Sequence, residues 1–466
     1  MKQHIHLIGI GGIGLSAMAK ILLEEGYRVS GSDVQLSPLT ANLEALGARI
    51  YKGHAPENVG PADLVVMSSA IRPDNPEVVA ARQRGIPVIK RDQMLGRMMT
   101  GRYGIAVAGT HGKTTTTALI AWLLTQAGLD PTFIVGGVVE NLGTNARAGK
   151  GEHFVIEADE YDYTFLGLKP HLAVVTAIEM DHPDCFRDLD EVTQAFKRFI
   201  RLVPEDGCVI GCGDEGRVRT VIEEFKGSGG KPRVVTYGLG TGVDWQAVEV
   251  QANGVGGSDF VALREGQPVG TFGLQLPGLH NVKNALAAIV VAHHLGLDLA
   301  GVGMALREFR GTKRRFEFKG QAGGVQVYDD YAHHPTEIRA TLAAARQRYP
   351  YSEIWAVFQP HTYSRTRALL AEFAASFGDA DHVVVVDIYP AREYDNLGVS
   401  AADIVARMTH PDACYIAGLD QATEYLIRHL RPGDVLITLG AGDGYLVGEK
   451  VLAKMKGNAR PLSGST

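Results

Sequence analysis

A glycine-rich segment with one lysine is the strongest chemical signal in the sequence. Ala108-Gly109-Thr110-His111-Gly112-Lys113-Thr114-Thr115 follows an apolar run typical of a β-strand and precedes a helical pattern from about Thr114 to Gln126. Small residues there let backbone N–H groups close around phosphate oxygens, and Lys113 adds a full positive charge. The segment departs from G-x-x-x-x-G-K-[ST], because Val107 occupies the position of the first glycine. We still predict a nucleotide phosphate site, with Thr114 holding Mg²⁺ through its hydroxyl.

Two further metal ligands follow other predicted strands. Glu157 ends the strand Phe154 to Ile156, and His182 lies just after the strand Leu172 to Thr176. If these strands run parallel to the one before the phosphate loop, all three ends meet at the sheet edge where open α/β sheets bind ligands. Mg²⁺ prefers oxygen ligands, so Glu157 suits it better than His182 does. A solvated capping carboxylate and a surface imidazole are the alternatives for these two residues.

A second glycine motif lies at the N-terminus. Gly9-Ile10-Gly11-Gly12-Ile13-Gly14 fits G-x-G-x-x-G between a predicted strand and a predicted helix, and Asp33 follows at about the distance of a ribose-binding acid. These glycines admit any pyrophosphate, so a UDP-sugar fits as well as NAD, and a purely structural tight turn is a further alternative. A dehydrogenase would not need a second phosphate loop with a lysine. We therefore expect a diphosphate substrate without hydride transfer.

Composition limits the class of protein. A chain of 466 residues is expected to form about three domains, and 45% hydrophobic with 21% charged residues is ordinary globular composition, which excludes wholesale disorder. The net charge of −6, without a long basic run, argues against nucleic acid as a partner. No apolar stretch approaches the roughly 18 residues of a membrane span. Four cysteines without a C-x-x-C pair fit reduced thiols, so we expect a cytoplasmic protein.

The chain divides into three α/β series. Strand and helix patterns alternate from residue 5 to residue 67 and again from Gly104, which indicates parallel sheets. Between about Val234 and Gln275, alternating runs with the turns Asn253-Gly254 and Glu265-Gly266 indicate antiparallel hairpins. The third series has predicted strands at Val325 to Tyr328, Ile354 to Phe358, Val383 to Asp387 and Val435 to Leu439.

We place linkers near residues 92–103 and 311–315 and domain bounds at 1–95, 96–313 and 314–466. The predicted fold is α/β, with a Rossmann-like N-terminal domain, a central P-loop ATPase-like domain with added antiparallel strands, and a Rossmann-like C-terminal domain. No internal repeat of 20–50 residues is present, which excludes solenoids.

Several other stretches, taken together with the two glycine motifs, resemble a known protein family. They are Ser68-Ser69-Ala70-Ile71, Asn75-Pro76-Glu77, Glu157 to Asp162, Leu279-His280-Asn281-Val282-Lys283-Asn284-Ala285, Arg314-Arg315-Phe316, Tyr328 to Glu337, and Phe358-Gln359-Pro360-His361-Thr362-Tyr363-Ser364-Arg365-Thr366. Together with both glycine motifs, they resemble the Mur ligases over nearly the whole chain. Two segments differ from the form expected of that family, namely Pro183 to Phe186 and the residues after the glycines of Gly440 to Tyr445, to which we assign no role.

The resemblance implies an activity and its partners. It implies an ATP- and Mg²⁺-dependent ligase that joins L-alanine to the lactyl carboxylate of UDP-N-acetylmuramate through an acyl phosphate, in peptidoglycan precursor synthesis. A monomer or homodimer is expected. The stretches Tyr328 to Glu337 and Phe358 to Thr366 favour alanine over a preformed tripeptide as the added group. A nucleotide-dependent binding switch and an NAD enzyme are more remote alternatives.

The resemblance also implies roles for individual residues. His280, Asn281 and Asn284 would lie near the adenine, and Arg315, His334 and Arg365 around the substrates. His334 would be a candidate base for the amine, while Ser69 and Ala70 would join Gly11 to Gly14 and Asp33 in binding the UDP-sugar. Taken alone, these residues also fit helix-start, linker or turn positions. Lys113, Glu157, His182, His334 and Arg365 form the predicted catalytic set.

Overall fold

The strands of this protein form three separate sheets. The computed structural model describes residues 2–458, and within them the sheets contain five, ten and six strands in chain order. Every helix in this part of the chain is too short or too polar to cross a membrane. Helices cover the sheets, as expected of α/β proteins, and the predicted fold class is confirmed.

The first sheet is wholly parallel. Its strands are β1 (His4–Ile8), β2 (Arg28–Asp33), β3 (Arg49–Lys52), β4 (Leu64–Met67) and β5 (Val88–Lys90). Its helices are α1 (Ile13–Glu24), α2 (Pro38–Ala45), α3 (Pro76–Gln83) and α4 (Arg91–Met99). The order β3-β2-β1-β4-β5 is that of a Rossmann-like sheet, whose ligand crevice lies where the strand order reverses, beside β1. The N-terminal glycine motif begins directly after this strand.

Helix α4 occupies most of a segment that was predicted as a linker. Residues 92–103 were expected to be a linker, but most of them belong to α4, whose Met94, Leu95 and Met99 are buried. These apolar side chains recur at helical spacing and pack in the same core cluster as Phe165 of the central region. A buried helix therefore connects the first two sheets. The domain bounds given above stay a prediction.

The central sheet holds the phosphate loop. Its strands are β6 (Tyr103–Ala108), β7 (Thr132–Val139), β8 (Thr144–Arg147), β9 (His153–Glu157), β10 (Leu172–Val175), β11 (Cys208–Cys212), β12 (Arg233–Gly238), β13 (Trp245–Ala252), β14 (Ser258–Arg264) and β15 (Gln267–Leu274). Its helices are α5 (Lys113–Gln126), α6 (Leu189–Ile200), α7 (Gly216–Gly227), α8 (Leu279–His294) and α9 (Leu299–Glu308). β6 pairs in parallel with both β9 and β10, so the predicted common sheet edge is confirmed.

The antiparallel strands of this sheet differ from the prediction in two places. β13, β14 and β15 form the expected hairpins. β12 lies in the region predicted to be antiparallel, yet it pairs in parallel with β11 and with β13. An apolar run such as Val234 and Val235 carries no information about strand direction. The antiparallel pair β7–β8 was not predicted.

The third sheet is parallel except at one edge. Its strands are β16 (Glu317–Ala322), β17 (Val325–Asp330), β18 (Ile354–Phe358), β19 (His382–Val385), β20 (Ala413–Tyr415) and β21 (Val435–Leu439), in the order β16-β17-β21-β18-β19-β20. Its helices are α10 (Pro335–Arg348), α11 (Tyr363–Ala368), α12 (Leu370–Ala374), α13 (Ala401–Arg407), α14 (Leu419–His429) and α15 (Tyr445–Asn458). β16 is antiparallel to β17, and the predicted strands β18 and β21 have the expected bounds and are buried throughout.

Candidate active site

The phosphate loop connects β6 to α5, as the sequence predicts. Gly109 and Gly112 both have positive φ values, 142° and 79°, which favour glycine. A side chain at Gly109 would overlap the Thr176 hydroxyl, and a Cβ at Gly112 would lie 2.6 Å from Asn284 Oδ1. The loop therefore needs glycine for both its backbone conformation and its close contacts. The predicted loop residues Thr110, His111 and Thr115 lie in this same segment.

Lys113 points from the start of α5 towards a buried carboxylate. Its Nζ donates to the Gly109 carbonyl at 2.5 Å and lies 2.9 Å from Glu160, which is 2% exposed. Burial opposes the charge on the lysine, but Glu160, Asp159 and Glu157 outweigh it and raise its pKa. Lys113 is thus held as a cation within reach of any phosphate in the loop.

Thr114 and Glu157 meet as the sequence predicts. The Thr114 hydroxyl donates to Glu157 Oε1 at 2.9 Å, and Gly136 N–H donates to Oε2 at 2.6 Å. Burial raises the pKa of Glu157, although Lys113 counteracts it. A hydroxyl beside a carboxylate is an oxygen pair of the kind Mg²⁺ binds, and a cation would offset the cost of burying this charge. These residues fit the implied metal.

His182 lies at another wall of the same cavity. The cavity, about 560 Å³ in volume, is lined by Lys113, Thr114, Glu157 and His182 together with residues of the third sheet. His182 Nε2 lies 3.6 Å from Asp181 and 3.9 Å from Glu160. Its Nδ1 faces the guanidinium of Arg365 at 3.5 Å. The predicted metal residues thus share one cavity, with His182 held by protein groups on both ring nitrogens.

Arg365 joins the third sheet to this cavity. It lies on α11, is 4% exposed and donates from Nε to Asp181 Oδ1 at 2.8 Å. Although burial disfavours a charged carboxylate, Arg365 and nearby histidines hold the pKa of Asp181 well below its usual range. The same guanidinium donates to the His361 carbonyl at 2.8 Å. Arg365 is therefore fixed at the boundary between the central and third sheets.

The residues predicted to surround the adenine line a second, narrower cavity. Its volume is about 150 Å³, and its walls include Gly112, Thr115, His280, Asn281, Asn284 and Arg315, with Leu276 and Tyr237 as apolar neighbours. Burial, reinforced by Lys283 and Arg315, lowers the pKa of His280 to about 4, so this imidazole is neutral at pH 7. Asn284 accepts from the Thr116 hydroxyl at 3.2 Å. The cavity is continuous with the phosphate loop through Gly112 and Thr114.

His111 links the phosphate loop to α10. Its Nε2 lies 3.2 Å from Glu179, and its Nδ1 lies 3.2 Å from Glu337 of α10. Burial opposes protonation, but the two carboxylates raise the pKa of His111 to about 9. Ligand atoms of His111, Glu179 and His334 lie within 4.8 Å of one another, the spacing of a metal site. Since each His111 nitrogen already donates to a carboxylate, this group holds a proton instead.

The geometry argues against His334 as the base for the amine. His334 begins α10 as its N-cap, where Nδ1 accepts from Thr336 N–H at 3.3 Å. Its Nε2 therefore carries the proton and lies 3.2 Å from the Met180 carbonyl. Because both ring nitrogens are occupied, His334 has no free lone pair. Its contacts with Met180 and Glu179 join the start of α10 to the central region.

The N-terminal glycine motif borders a shallow cavity of about 450 Å³. Gly9, Gly12, Asp33 and Ala70 line it. Asp33 Oδ2 accepts from Gly11 N–H at 2.9 Å, so this acid also holds the glycine loop in shape. Its carboxylate keeps further lone pairs for a ligand. Four of the predicted residues do not line this cavity, namely Gly11, Ile13, Gly14 and Ser69.

The sequence interpretation missed several charged residues of the central cavity. Glu160, Glu179, Asp181, Glu337 and His361 were not assigned roles. Glu160, Glu337 and His361 lie inside stretches quoted for the family resemblance, and Glu179 and Asp181 lie just before the predicted ligand His182. Some of their partners come from another sheet, such as Arg365 for Asp181 and His111 for Glu337, and no local pattern encodes such pairing. Their density in the motifs that follow β9, β10, β17 and β18 is the signal that could have identified them.

A Rossmann-like sheet followed by a phosphate-loop domain and a third α/β sheet, with charged residues converging between them, defines a three-domain nucleotide-binding protein. Three family models match the chain: "Mur ligase family, catalytic domain" over residues 4–103, "Mur ligase middle domain" over 107–292 and "Mur ligase, glutamate ligase domain" over 314–442. The chain belongs to the Mur ligase family.

Relatives and solved structures agree with this assignment. The chain is 47% identical to the UDP-N-acetylmuramate--L-alanine ligase of Geobacter sp. (strain M21), over 97% of this chain and 98% of that protein. It is 46% identical to the protein of that name from Alkaliphilus metalliredigens, over 97% of each chain. The crystal structure of the UDP-N-acetylmuramate-alanine ligase of Thermotoga maritima matches with a TM-score of 0.81 and 29% identity, covering 98% of this chain and 99% of that one. A murein peptide ligase from Psychrobacter arcticus gives 0.72 and 28%, with coverage of 98% and 99%.

Proposed function

We propose that this protein is an ATP-dependent ligase that joins L-alanine to the lactyl carboxylate of UDP-N-acetylmuramate in peptidoglycan precursor synthesis. The observation that carries the proposal is the convergence of the phosphate loop, Glu157 and His182 with Arg365 of the third sheet around one cavity. Relatives 46–47% identical over nearly the whole chain carry the name of that activity. Its four cysteines are free thiols, which fits a reducing compartment, so we expect it to act in the cytoplasm.

The proposed chemistry follows from the reactants. A carboxylate is a poor electrophile, so it must be activated before an amine can attack it. Transfer of the γ-phosphoryl group of ATP to the lactyl carboxylate would give an acyl phosphate, and attack by alanine would give the amide and phosphate. Phosphoryl transfer depends mainly on positioning and charge neutralisation. Lys113 and the backbone N–H groups of residues 109–112 would supply both at the terminal phosphate.

Mg²⁺ would be held by Thr114 and Glu157. His182 lines the same cavity and would become a further ligand only after one of its ring nitrogens is released from its protein neighbours. When bound, the ion would neutralise charge on the phosphate oxygens. His280, Asn281 and Asn284 would surround the adenine in the narrower cavity. Asp33, Gly12 and Ala70 would contact the UDP portion of the sugar nucleotide. Arg365, fixed by Asp181, would lie beside the acid and the amino acid.

Two other interpretations differ in the substrates they require. A ligase for a preformed tripeptide would share the first two sheets, and the murein peptide ligase is a structural neighbour at lower identity. A binding switch would hydrolyse ATP without an amino acid. Phosphate release should be measured with ATP alone, with UDP-N-acetylmuramate added, and then with each amino acid or the tripeptide. Release that depends on the sugar nucleotide and L-alanine together supports the proposal, whereas release with the tripeptide only, or with neither, contradicts it.

A further inference from the structure

The tautomer of His333 is fixed by its neighbours. His333 lies between β17 and α10 and lines the cavity that holds Lys113 and Glu157. Its Nδ1 is 3.0 Å from the Tyr331 carbonyl and 3.3 Å from Glu337 Oε2. A carbonyl and a carboxylate accept hydrogen bonds, so Nδ1 must be the nitrogen that carries the proton. Nε2 of the neutral ring is then an unprotonated acceptor.

This Nε2 is free for a substrate. Within residues 2–458 no protein group forms a hydrogen bond with Nε2. This nitrogen is not completely buried, so a substrate can reach it. Burial is the main cause that lowers the pKa of His333 to about 3; Glu337 and Asp181 oppose this shift, and Arg365 and His361 add to it. The ring is therefore neutral at pH 7. Phosphate groups in the cavity, and an amino-acid carboxylate near Arg365, would raise its proton affinity on substrate binding.

The other histidines of this cavity hold the opposite tautomer or lack a free nitrogen. His361 Nδ1 lies 3.1 Å from Arg365, which can only donate, so its proton is on Nε2. His182 Nδ1 also faces Arg365, and its Nε2 faces the carboxylates of Asp181 and Glu160. Of the histidines that line the cavity in the described chain, His333 alone offers an unprotonated Nε2.

We propose that His333 takes the proton from the amino group of the amino-acid substrate, and that Glu337 is the positioning residue that fixes its tautomer. This inference rests on the ligase function proposed above. An ammonium proton passes to Nε2, and the neutral amine attacks the carbonyl carbon of the acyl phosphate. The C–N bond forms, and the C–O bond to phosphate breaks with its electron pair on the departing oxygen. A second nitrogen proton goes to phosphate, and His333 returns its own to solvent.

Glu337 connects this histidine to the phosphate loop. Its Oε2 accepts from His333 N–H at 3.0 Å, besides facing Nδ1. Its other oxygen, Oε1, lies 3.2 Å from His111 Nδ1 and 3.8 Å from Arg315. The carboxylate of Glu337 thus contacts both the proposed base, His333, and His111 of the phosphate loop. His333 is correctly oriented only when α10 is docked on the loop that binds ATP.

The role of His333 can be tested with a nucleophile that is already neutral at pH 7. Such a nucleophile needs no base, so its reaction depends on every step except removal of the ammonium proton. Hydroxylamine is such a nucleophile, and it converts an acyl phosphate to a hydroxamate without needing a base. The full-length protein, with ATP, Mg²⁺ and UDP-N-acetylmuramate, is assayed with L-alanine or with hydroxylamine. His333→Asn keeps a donor towards Glu337 and lacks the second nitrogen, and His333→Gln is the independent second variant. We expect alanine ligation to fall about 10²-fold or more while hydroxamate formation changes little.

The controls separate this inference from the proposed function. If the unmutated protein forms neither amide nor hydroxamate, the ligase proposal fails; if it forms both, only the role of His333 is at issue. Equal losses with both nucleophiles, or alanine ligation retained in either variant, would overturn that role. Glu337→Gln should show the same selective loss, and Glu372→Gln, an exposed acid of the same region, should behave as the unmutated protein. Unselective loss in Glu337→Gln would overturn its positioning role.

Discussion

Arg365 Nε lies 2.8 Å from Asp181 Oδ1, and both side chains are at least 94% buried. Arg365 belongs to the third sheet, and Asp181 precedes His182 in the central region. The ion pair therefore fixes a cation of one sheet beside the proposed metal and phosphate site of another. Such an arrangement can place an acid, a phosphate and an amine in contact only while the two sheets remain docked.

Removing one partner of this pair should damage both stability and catalysis. Asp181→Asn leaves Arg365 as an uncompensated buried charge, which costs about 3–5 kcal/mol. We expect a lower melting temperature and a higher KM for the amino acid. Asp190→Asn, an exposed acid on α6, is the matched control and should change neither. An Asp181→Asn protein with unaltered kinetics would show that the pair is not needed to orient Arg365.

Lys113→Ala should abolish turnover and spare the N-terminal site. The lysine is held beside Glu160 and the phosphate loop, far along the chain from Gly12 and Asp33. We expect kcat to fall by about 10³-fold or more, because charge neutralisation at the transferred phosphoryl group is lost. Calorimetric titration with UDP-N-acetylmuramate should give an unchanged affinity. Lys150→Ala, an exposed lysine, serves as the control. Turnover retained in the Lys113 variant would remove this lysine from the mechanism.

Glu157→Gln should change the dependence on Mg²⁺. The substitution keeps the shape of the side chain and a partner for Thr114 but removes the charge that would bind the cation. We expect activity to need a Mg²⁺ concentration about tenfold higher, in line with the loss of one hard ligand. Activity is measured over a Mg²⁺ titration at fixed ATP, with the exposed Glu152→Gln as control. Identical Mg²⁺ curves for the variant and the unmutated protein would exclude Glu157 as a ligand.

Glu77 should make the stability of the N-terminal region depend on acid pH. Burial alone would raise the pKa of Glu77, but hydrogen bonds from His6, Ser32 and Asn58 outweigh it and lower the pKa from 4.5 to about 2. A lowered pKa stabilises the fold above pH 4.5, and this contribution is lost as the pH falls towards 2.

The measurement is thermal unfolding as a function of pH for Glu77→Gln and for the exposed control Glu44→Gln. Glu77→Gln should be destabilised at pH 7, and the difference from the unmutated protein should shrink below pH 4.5. A difference that does not depend on pH would mean that the charge of Glu77 is not the source of the stabilisation.

Local patterns in the sequence predicted the elements that are buried along their whole length. The apolar runs Ile354–Phe358 and Val435–Leu439 became strands with the predicted bounds. The sequence did not show that most of the predicted linker at residues 92–103 is helical, because burial of Met94 and Met99 as one face of a helix depends on a neighbour from another part of the chain. The predicted direction of β12 was wrong, because strand direction depends on pairing with β11 and β13 and not on the local pattern.

The sequence predicted those site residues that come directly after a strand of the central sheet. Parallel pairing of β6, β9 and β10 brings Thr114 and Glu157 into contact, as the order of motifs indicates. The pairs Asp181–Arg365 and His111–Glu337 could not be predicted, since their members are 184 and 226 residues apart and meet only when separate sheets dock. The tautomers of the histidines depend on these long-range contacts and were equally hidden.

The central claim is that the phosphate loop activates a carboxylate by phosphorylation. The most direct test uses UDP-N-acetylmuramate with an ¹⁸O-labelled lactyl carboxylate, incubated with ATP, Mg²⁺, L-alanine and the full-length protein. Formation of an acyl phosphate predicts that one ¹⁸O atom appears in the released phosphate for each amide formed, as measured by mass spectrometry. Amide formation with unlabelled phosphate, or phosphate release without any amide, would contradict the account.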